Sequence, residues 1–110
     1  MANVFKNAVS ASVGTSGVDV YTAGSGVTAT VIGATVANRH SSSITVDATI
    51  TDSSASVTPF IVKAAPIGTG SSLVLIGGDQ KVVLETGDKI TITSDTTSSA
   101  DVIVSVLEST

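Results

Sequence analysis

The stretch of the chain that decides its fold runs from Ser43 to Thr51 and reads S-I-T-V-D-A-T-I-T. Its even-numbered positions are apolar and its odd-numbered positions are polar. Because successive side chains of a β-strand point to opposite faces, this pattern predicts a strand with one buried and one solvated face. The segment from Lys89 to Thr93 repeats the pattern, with Ile90 and Ile92 on the apolar side.

The composition extends this prediction to the whole chain. Of its 110 residues, 17 are Val, 9 are Ile and 16 are Thr, against only 4 Leu. Branched side chains of this kind lose rotamer freedom on a helix and pack well on a pleated sheet. The sequence therefore predicts an all-β protein.

Clusters of Gly, Asp, Asn and Ser divide the chain into short strands, because these residues favour turns. Eight strands are predicted at residues 4–13, 18–23, 27–37, 43–51, 57–64, 72–77, 81–85 and 89–94, with a ninth at 101–108. Strands that recur every 8–12 residues or so are typical of sandwiches and barrels. We expect one domain over residues 1–110, an antiparallel β-sandwich of about eight strands that is jelly-roll-like or immunoglobulin-like.

Several classes of function are disfavoured by what the chain lacks. It has no Cys, a single His and five basic residues, with a formal net charge of −4. Disulfides and thiolate chemistry are thus excluded, and binding to a nucleic acid backbone is not expected. The chain shows neither a signal-peptide pattern at its start nor an apolar run of about 18 residues. We expect a protein that is made in the cytoplasm and binds no membrane.

Two groups of residues are candidates for a catalytic or metal site. His40 could pair with a serine, with Asp47 orienting it, but its polar surroundings favour a solvated loop histidine. Asp79, Glu85 and Asp88 lie near two turns but lack the spacing of a calcium loop. We therefore expect no catalytic residue, no metal and no cofactor.

Some predicted strands are apolar on both faces, which a sheet with one solvated face does not explain. Val102 and Val104 point one way along the last strand, whereas Ile103 and Leu107 point the other way. One row can enter the core, and the other would form an exposed patch. The candidate oligomer or partner interface comprises Val102, Ile103, Val104, Leu107, Val74, Ile76 and Val83.

The alternative is that the N-terminal arm around Phe5 or a loop covers this second row. If this second row is uncovered, a homo-oligomer is expected, with a trimer favoured.

Phe60, beside Pro59, is expected to fill the core or close one end of the sandwich.

A resemblance to a known family adds to these expectations. Its residues are the run D-Q-K-V-V-L-E-T-G-D-K-I from Asp79 to Ile90, the later Ser94-Asp95-Thr96, and D-V-I-V-S-V-L-E from Asp101 to Glu108. The opening Asn3-Val4-Phe5-Lys6-Asn7 and the strand from Val18 to Thr22 belong to the same pattern. With these segments the chain resembles the short virion structural proteins of tailed bacteriophages, especially of phages that infect marine bacteria and cyanobacteria. The run from Leu84 to Ile90 is also similar to a hairpin near the end of trimeric jelly-roll folds.

The resemblance implies a non-enzymatic virion structural protein made in the host cytoplasm, and we favour a capsid decoration (cement) protein. Its partners would be its own copies, as a homotrimer at local three-fold positions, and the major capsid protein or another virion protein. The alternative is a tail, neck or fibre component of the same kind of particle. A carbohydrate-binding β module and a small hydrolase are less favoured, because exposed aromatic residues and paired catalytic groups are scarce.

Overall fold

The computed structural model describes residues 2–110, which form nine β-strands and no helix. The strands are β1 (Asn3–Val13), β2 (Val18–Thr22), β3 (Thr28–Asn38), β4 (Ile44–Thr51), β5 (Phe60–Ile67), β6 (Ser72–Ile76), β7 (Val82–Leu84), β8 (Lys89–Ser94) and β9 (Ala100–Ser109). All of their pairings are antiparallel. The expected antiparallel all-β sandwich is therefore confirmed. No helix able to cross a membrane occurs in residues 2–110.

The predicted strand positions agree with the structure except for β5, which the sequence places at 57–64. The turn before it is longer than the sequence suggests, because the Asp52 carboxylate accepts hydrogen bonds from the Ala55 N–H at 3.0 Å and the Ser54 hydroxyl at 2.9 Å. Asp52 also pairs with Val57 through the backbone, which closes the loop. The strand therefore begins only at Phe60.

The strands pair as a nested set that is then rolled into two sheets. β1 pairs with β9, β2 with β8, β3 with β6 and β7, and β4 with β5. β9 pairs with β3 as well, and β8 with β4. Sheet A thus has the order β1-β9-β3, with β6 and β7 beyond β3, and sheet B has the order β2-β8-β4-β5. Nested pairs rolled in this way form a jelly roll, and they differ from the immunoglobulin sheets, whose strand orders are A-B-E-D and C-F-G.

The core lies between the two sheets and consists almost entirely of Val, Ile and Ala. Sheet A contributes alternate residues of β3 and β9, and sheet B contributes alternate residues of β4 and β8. Each fully buried Val or Ile stabilises the fold by roughly 1.5–3 kcal/mol. The central buried residues are Val31, Val36, Val102, Val104 and Val106 from sheet A and Ile44, Val46, Ile90 and Ile92 from sheet B.

The outward faces of the two sheets differ in charge. Within its strands, sheet B carries Asp19, Asp47 and Lys89 among threonines, as a solvated sheet face does. Sheet A carries large apolar side chains in the corresponding outward positions. Packing of the core does not explain the exposed apolar side chains of sheet A, so its outer face is the candidate functional surface.

Candidate functional site: the uncharged face of sheet A

Two rows of side chains cross the outer face of sheet A at right angles to its strands. The strand register places Phe5 beside Leu107, Leu107 beside Thr30, and Thr30 beside Val83. The second row is formed in the same way. It runs through Val9, Ile103, Thr35 and Val74. We call this surface, with its two rows, the A face.

A shallow depression of about 420 Å³ lies between the two rows, on the side of β1. Its floor is formed by small or polar residues, with Asn7 on β1 beside Ser105 on β9. Ile32 lines its far side, where the register between β3 and β9 shifts between Val31 and Gly33. Among its described lining residues, Lys6 at the edge is the only titratable group and Ser105 the only hydroxyl, and the lining includes no histidine or carboxylate. Its shape suits contact with another surface rather than enclosure of a small molecule.

The apolar residues of the A face are largely exposed. Phe5 is 75% exposed, Val9 65%, Val74 63% and Ile103 57%. Scattered apolar residues are normal on a surface, but several that share one sheet face, as here, commonly mark a contact site for protein.

The A face is also nearly free of charge. Within residues 2–110, the only charged side chain that points outward from its strands is Asp101, at one end of β9, and it lies 3.2 Å from the Arg39 guanidinium. Asp101 also accepts a hydrogen bond from the Ser12 N–H at 2.9 Å. The charges of a chain with net charge −4 are therefore kept off this surface or paired at its margin.

The predicted interface residues divide between the A face and the core. Val74, Val83 and Ile103 are exposed on the A face, and Leu107 is partly exposed there. The assignment of Val102, Val104 and Ile76 to an interface was wrong, because all three are buried inside the sandwich.

Val102 and Val104 alternate with Ile103 along β9, so they face the opposite sheet. Ile76 is separated from Val74 by a register shift in β6, where Ala34 pairs with Ile76 but Thr35 pairs with Val74. The extra residue, Leu75, reverses the alternation, so strict period-two counting places Ile76 on the wrong face.

Phe5, Val9 and Ile32 complete the A face and were missed as interface residues. The alternation of Phe5, Asn7 and Val9 in the sequence was the signal that could have found two of them. The N-terminal segment does not cover the patch, because it pairs with β9 as an edge strand and adds Phe5 to the same face. Phe60 does not fill the core either: it is 50% exposed, with the Lys63 ammonium 5.3 Å from its ring centroid.

The residues considered for catalysis lie apart in the structure. His40 is in the loop after β3, where its Nδ1 accepts the Ser42 N–H at 3.2 Å and its own N–H is donated to the Asn38 carboxamide. Asp47 is on the outer face of sheet B, and its carboxylate accepts the Ala64 N–H at 2.7 Å. Both residues are engaged in local backbone contacts that shape loops and bulges.

The carboxylates considered for a metal are only partly brought together. Glu85 and Asp88 do meet, but their third neighbour is Asp52 from the β4–β5 loop rather than Asp79. Asp88 is buried, and its carboxylate accepts hydrogen bonds from the Ser53 and Glu85 N–H groups, each at 3.0 Å. Through these bonds Asp88 holds the β4–β5 loop and the turn between β7 and β8 together.

One polar contact joins the two sheets at the end of the A face near Phe5. The Tyr21 hydroxyl on β2 donates to Glu108 Oε2 on β9 at 2.5 Å, and the Lys6 ammonium on β1 lies 3.1 Å from Glu108 Oε1. The Tyr21 hydroxyl and, secondly, Lys6 hold the pKa of the Glu108 carboxyl below its usual value. Burial, reinforced by the neighbouring carboxylate, raises the pKa of Tyr21.

No protein-family model, no curated protein and no solved structure matches this chain.

Proposed function

We propose that this protein is a non-enzymatic structural component of a phage particle, and specifically a capsid decoration protein that binds the assembled shell through its A face. The observation that carries the proposal is the A face itself. Five exposed apolar side chains lie in two rows on one sheet face whose only outward charge among the described residues is Asp101 at its margin, and they are Phe5, Val9, Val74, Val83 and Ile103. A surface of this kind favours contact with protein over contact with solvent.

The fold is compatible with this function without selecting it. Jelly rolls occur in viral capsid domains, in lectins and in cupins. The function must therefore be inferred from the surface residues and not from the fold. The virion assignment is supported by the resemblance of the strand and turn motifs to short structural proteins of tailed phages. The major capsid protein is the partner we propose, and the virion is the location.

The charge distribution disfavours nucleic acid as the partner. Three of the five basic residues are engaged with carboxylates at 3.1–3.2 Å, in the pairs Lys6–Glu108, Arg39–Asp101 and Lys89–Asp19. A phosphate backbone is bound by clusters of unpaired cations, which the described residues do not form. An outward position on the shell requires no such cluster.

The proposal is tested by comparing phage particles that contain the protein with particles from a phage whose gene is deleted. We expect the deleted particles to lack a regular set of surface densities on the capsid, and added purified protein to restore them. Density missing from the tail or neck instead would assign the protein to that part of the particle and contradict the decoration role. Particles that lack no density would contradict a structural role altogether.

A further inference from the structure

Strand β1 leaves one edge of sheet A open, and it differs from the other strands that end a sheet. β2 has five residues and a register shift between Asp19 and Tyr21. β5 contains Pro66, which has no N–H, and a bulge where Ala64 has a φ of 51°. β6 and β7 are only five and three residues long. Short length, proline and bulges are the devices that prevent edge strands from pairing with other chains.

β1 lacks these devices over most of its length. It pairs with β9 without interruption from Asn3 to Ser10, and its register shift comes only after Ser10. Its one charged residue is Lys6, whose ammonium is paired with Glu108 at 3.1 Å. The backbone N–H and C=O groups on the free side of this segment form a template for another strand.

We propose that β1 pairs with β1 of a second copy, antiparallel and about a two-fold axis that passes between the two Asn7 residues. An edge that pairs with itself in this way requires the axis to be perpendicular to the sheet, so residues that face each other point to the same side. The two A faces then lie side by side on one continuous surface. This proposal goes beyond the proposed function, since it concerns the edge of the sheet and not the face.

The side chains select the register centred on Asn7. In it Phe5 faces the second copy's Val9 on both sides of the axis, an aromatic and β-branched pair that stabilises antiparallel sheets. Lys6 faces Ala8, so no like charges are opposed. Centring the axis on Lys6 would instead place two lysines directly opposite each other, which destabilises pairing.

Registers centred on either side of Asn7, at Ala8 or at Phe5, give shorter pairing. An axis at Ala8 would leave only the residues from Lys6 to Ser10 within the regular part of β1. An axis at Phe5 would leave only the residues from Asn3 to Asn7 within it. The register at Asn7 keeps the residues from Val4 to Ser10 paired, and it gives a dimer where the sequence favoured a trimer.

Cysteine cross-linking tests both the edge and the register, because the native chain has no Cys. In the proposed dimer the two Asn7 Cβ atoms are about 4.5–5.5 Å apart, within reach of a disulfide with little backbone movement. We expect Asn7→Cys to give a covalent dimer on mild oxidation. Val9→Cys, on the same strand and face, should not, because the two copies of residue 9 would be about 13 Å apart.

Ser105→Cys is the control for contact through the A face. Ser105 is exposed beside Asn7 but lies one strand inside the edge. Cross-linking of Ser105→Cys at least as fast as that of Asn7→Cys would show that the faces meet, and it would overturn the edge proposal. Equal cross-linking of Asn7→Cys and Val9→Cys would overturn the register.

Sedimentation of cysteine-free variants gives an independent result. We expect a species of twice the 10.8 kDa chain mass. Asn7→Asp should weaken the dimer by roughly 2- to 5-fold in its dissociation constant, because like charges would face each other at the axis. Ser105→Asp, with the same charge on the neighbouring strand, should leave the constant within about 2-fold of the native value. A trimer, or a monomer at all concentrations up to about 0.5 mM, would contradict the proposal.

Discussion

Single residues hold the loops of this protein in place, and the hairpin from Glu85 to Asp88 shows how. Gly87 has a φ of 89°, in the left-handed region that glycine tolerates and other residues resist. A Cβ at this position would lie 2.8 Å from the Ser53 hydroxyl oxygen, closer than ordinary contact allows. The turn is therefore fixed by backbone conformation and by the neighbouring β4–β5 loop.

We expect Gly87→Ala to destabilise the fold by roughly 2–3 kcal/mol, from the left-handed backbone and from contact with Ser53. Gly26 is the matched control, because it has a φ of 73° but a methyl group added there would meet no atom within 4 Å. Gly26→Ala should cost only about 1–2 kcal/mol. Urea unfolding of both variants measures the difference. Equal losses would mean that contact with Ser53 contributes nothing.

Asp88 shows the same dependence on one side chain. It is 3% exposed, and its carboxylate accepts the N–H groups of Ser53 and Glu85. Asp88→Ala leaves both donors without an acceptor, so we expect a loss of roughly 2–4 kcal/mol. Asp79→Ala, at an exposed turn position, should change stability by less than about 0.5 kcal/mol. A thermal shift no larger for Asp88→Ala than for Asp79→Ala would contradict this role of Asp88.

At the scale of elements, the contact among Tyr21, Glu108 and Lys6 links β2 of sheet B to β9 and β1 of sheet A. The pKa of the Glu108 carboxyl is lowered in the folded state. A lowered pKa stabilises the fold above the ordinary carboxyl value of 4.5, and this contribution is lost as the pH falls through the folded-state value.

Glu108→Gln should therefore be less stable than the native chain at about pH 7, and the difference should shrink at about pH 3. Unfolding of both proteins in urea at the two pH values measures this. The other carboxylates titrate in both proteins, so their effect cancels in the difference. A stability gap that stays constant with pH would show that the Glu108 charge does not link the sheets.

The strands themselves could be predicted from the sequence, because period-two alternation directly reports the faces of a sheet. Alternation fails where a register shift intervenes, and for this reason Ile76 was placed on the wrong face. Contacts between distant segments leave no local pattern. The approach of Asp52 to Asp88, and of Tyr21 to Glu108, arises only when the nested strands are rolled into two sheets.

The candidate site was only half predicted for the same reason. The outward direction of Ile103 and Leu107 could be predicted from the alternation in β9 alone. The contribution of Phe5 and Val9 depends on the pairing of β1 with β9, which brings residues about 100 positions apart in the chain into one row. Sequence reasoning therefore found the strand at the centre of the A face but missed its edge.

At the scale of the whole molecule, the two sheets present surfaces of different character. The outer face of sheet B carries Asp19, Asp47 and Lys89, with Phe60 exposed on its edge strand, whereas the A face is richer in exposed apolar side chains and nearly uncharged. In the proposed arrangement the A face contacts the shell and sheet B faces solvent. A new charge should therefore impair attachment on one side of the molecule and be tolerated on the other.

The most direct test is to measure binding of two charge variants to particles that lack the protein. Ile103→Lys places an ammonium at the centre of the A face, and Thr49→Lys places one in a central strand of sheet B. Circular dichroism first verifies that both variants fold. We expect Thr49→Lys to bind like the native protein, and Ile103→Lys to bind at least about 10-fold more weakly. Undiminished binding by Ile103→Lys, or a greater loss from Thr49→Lys, would contradict attachment through the A face.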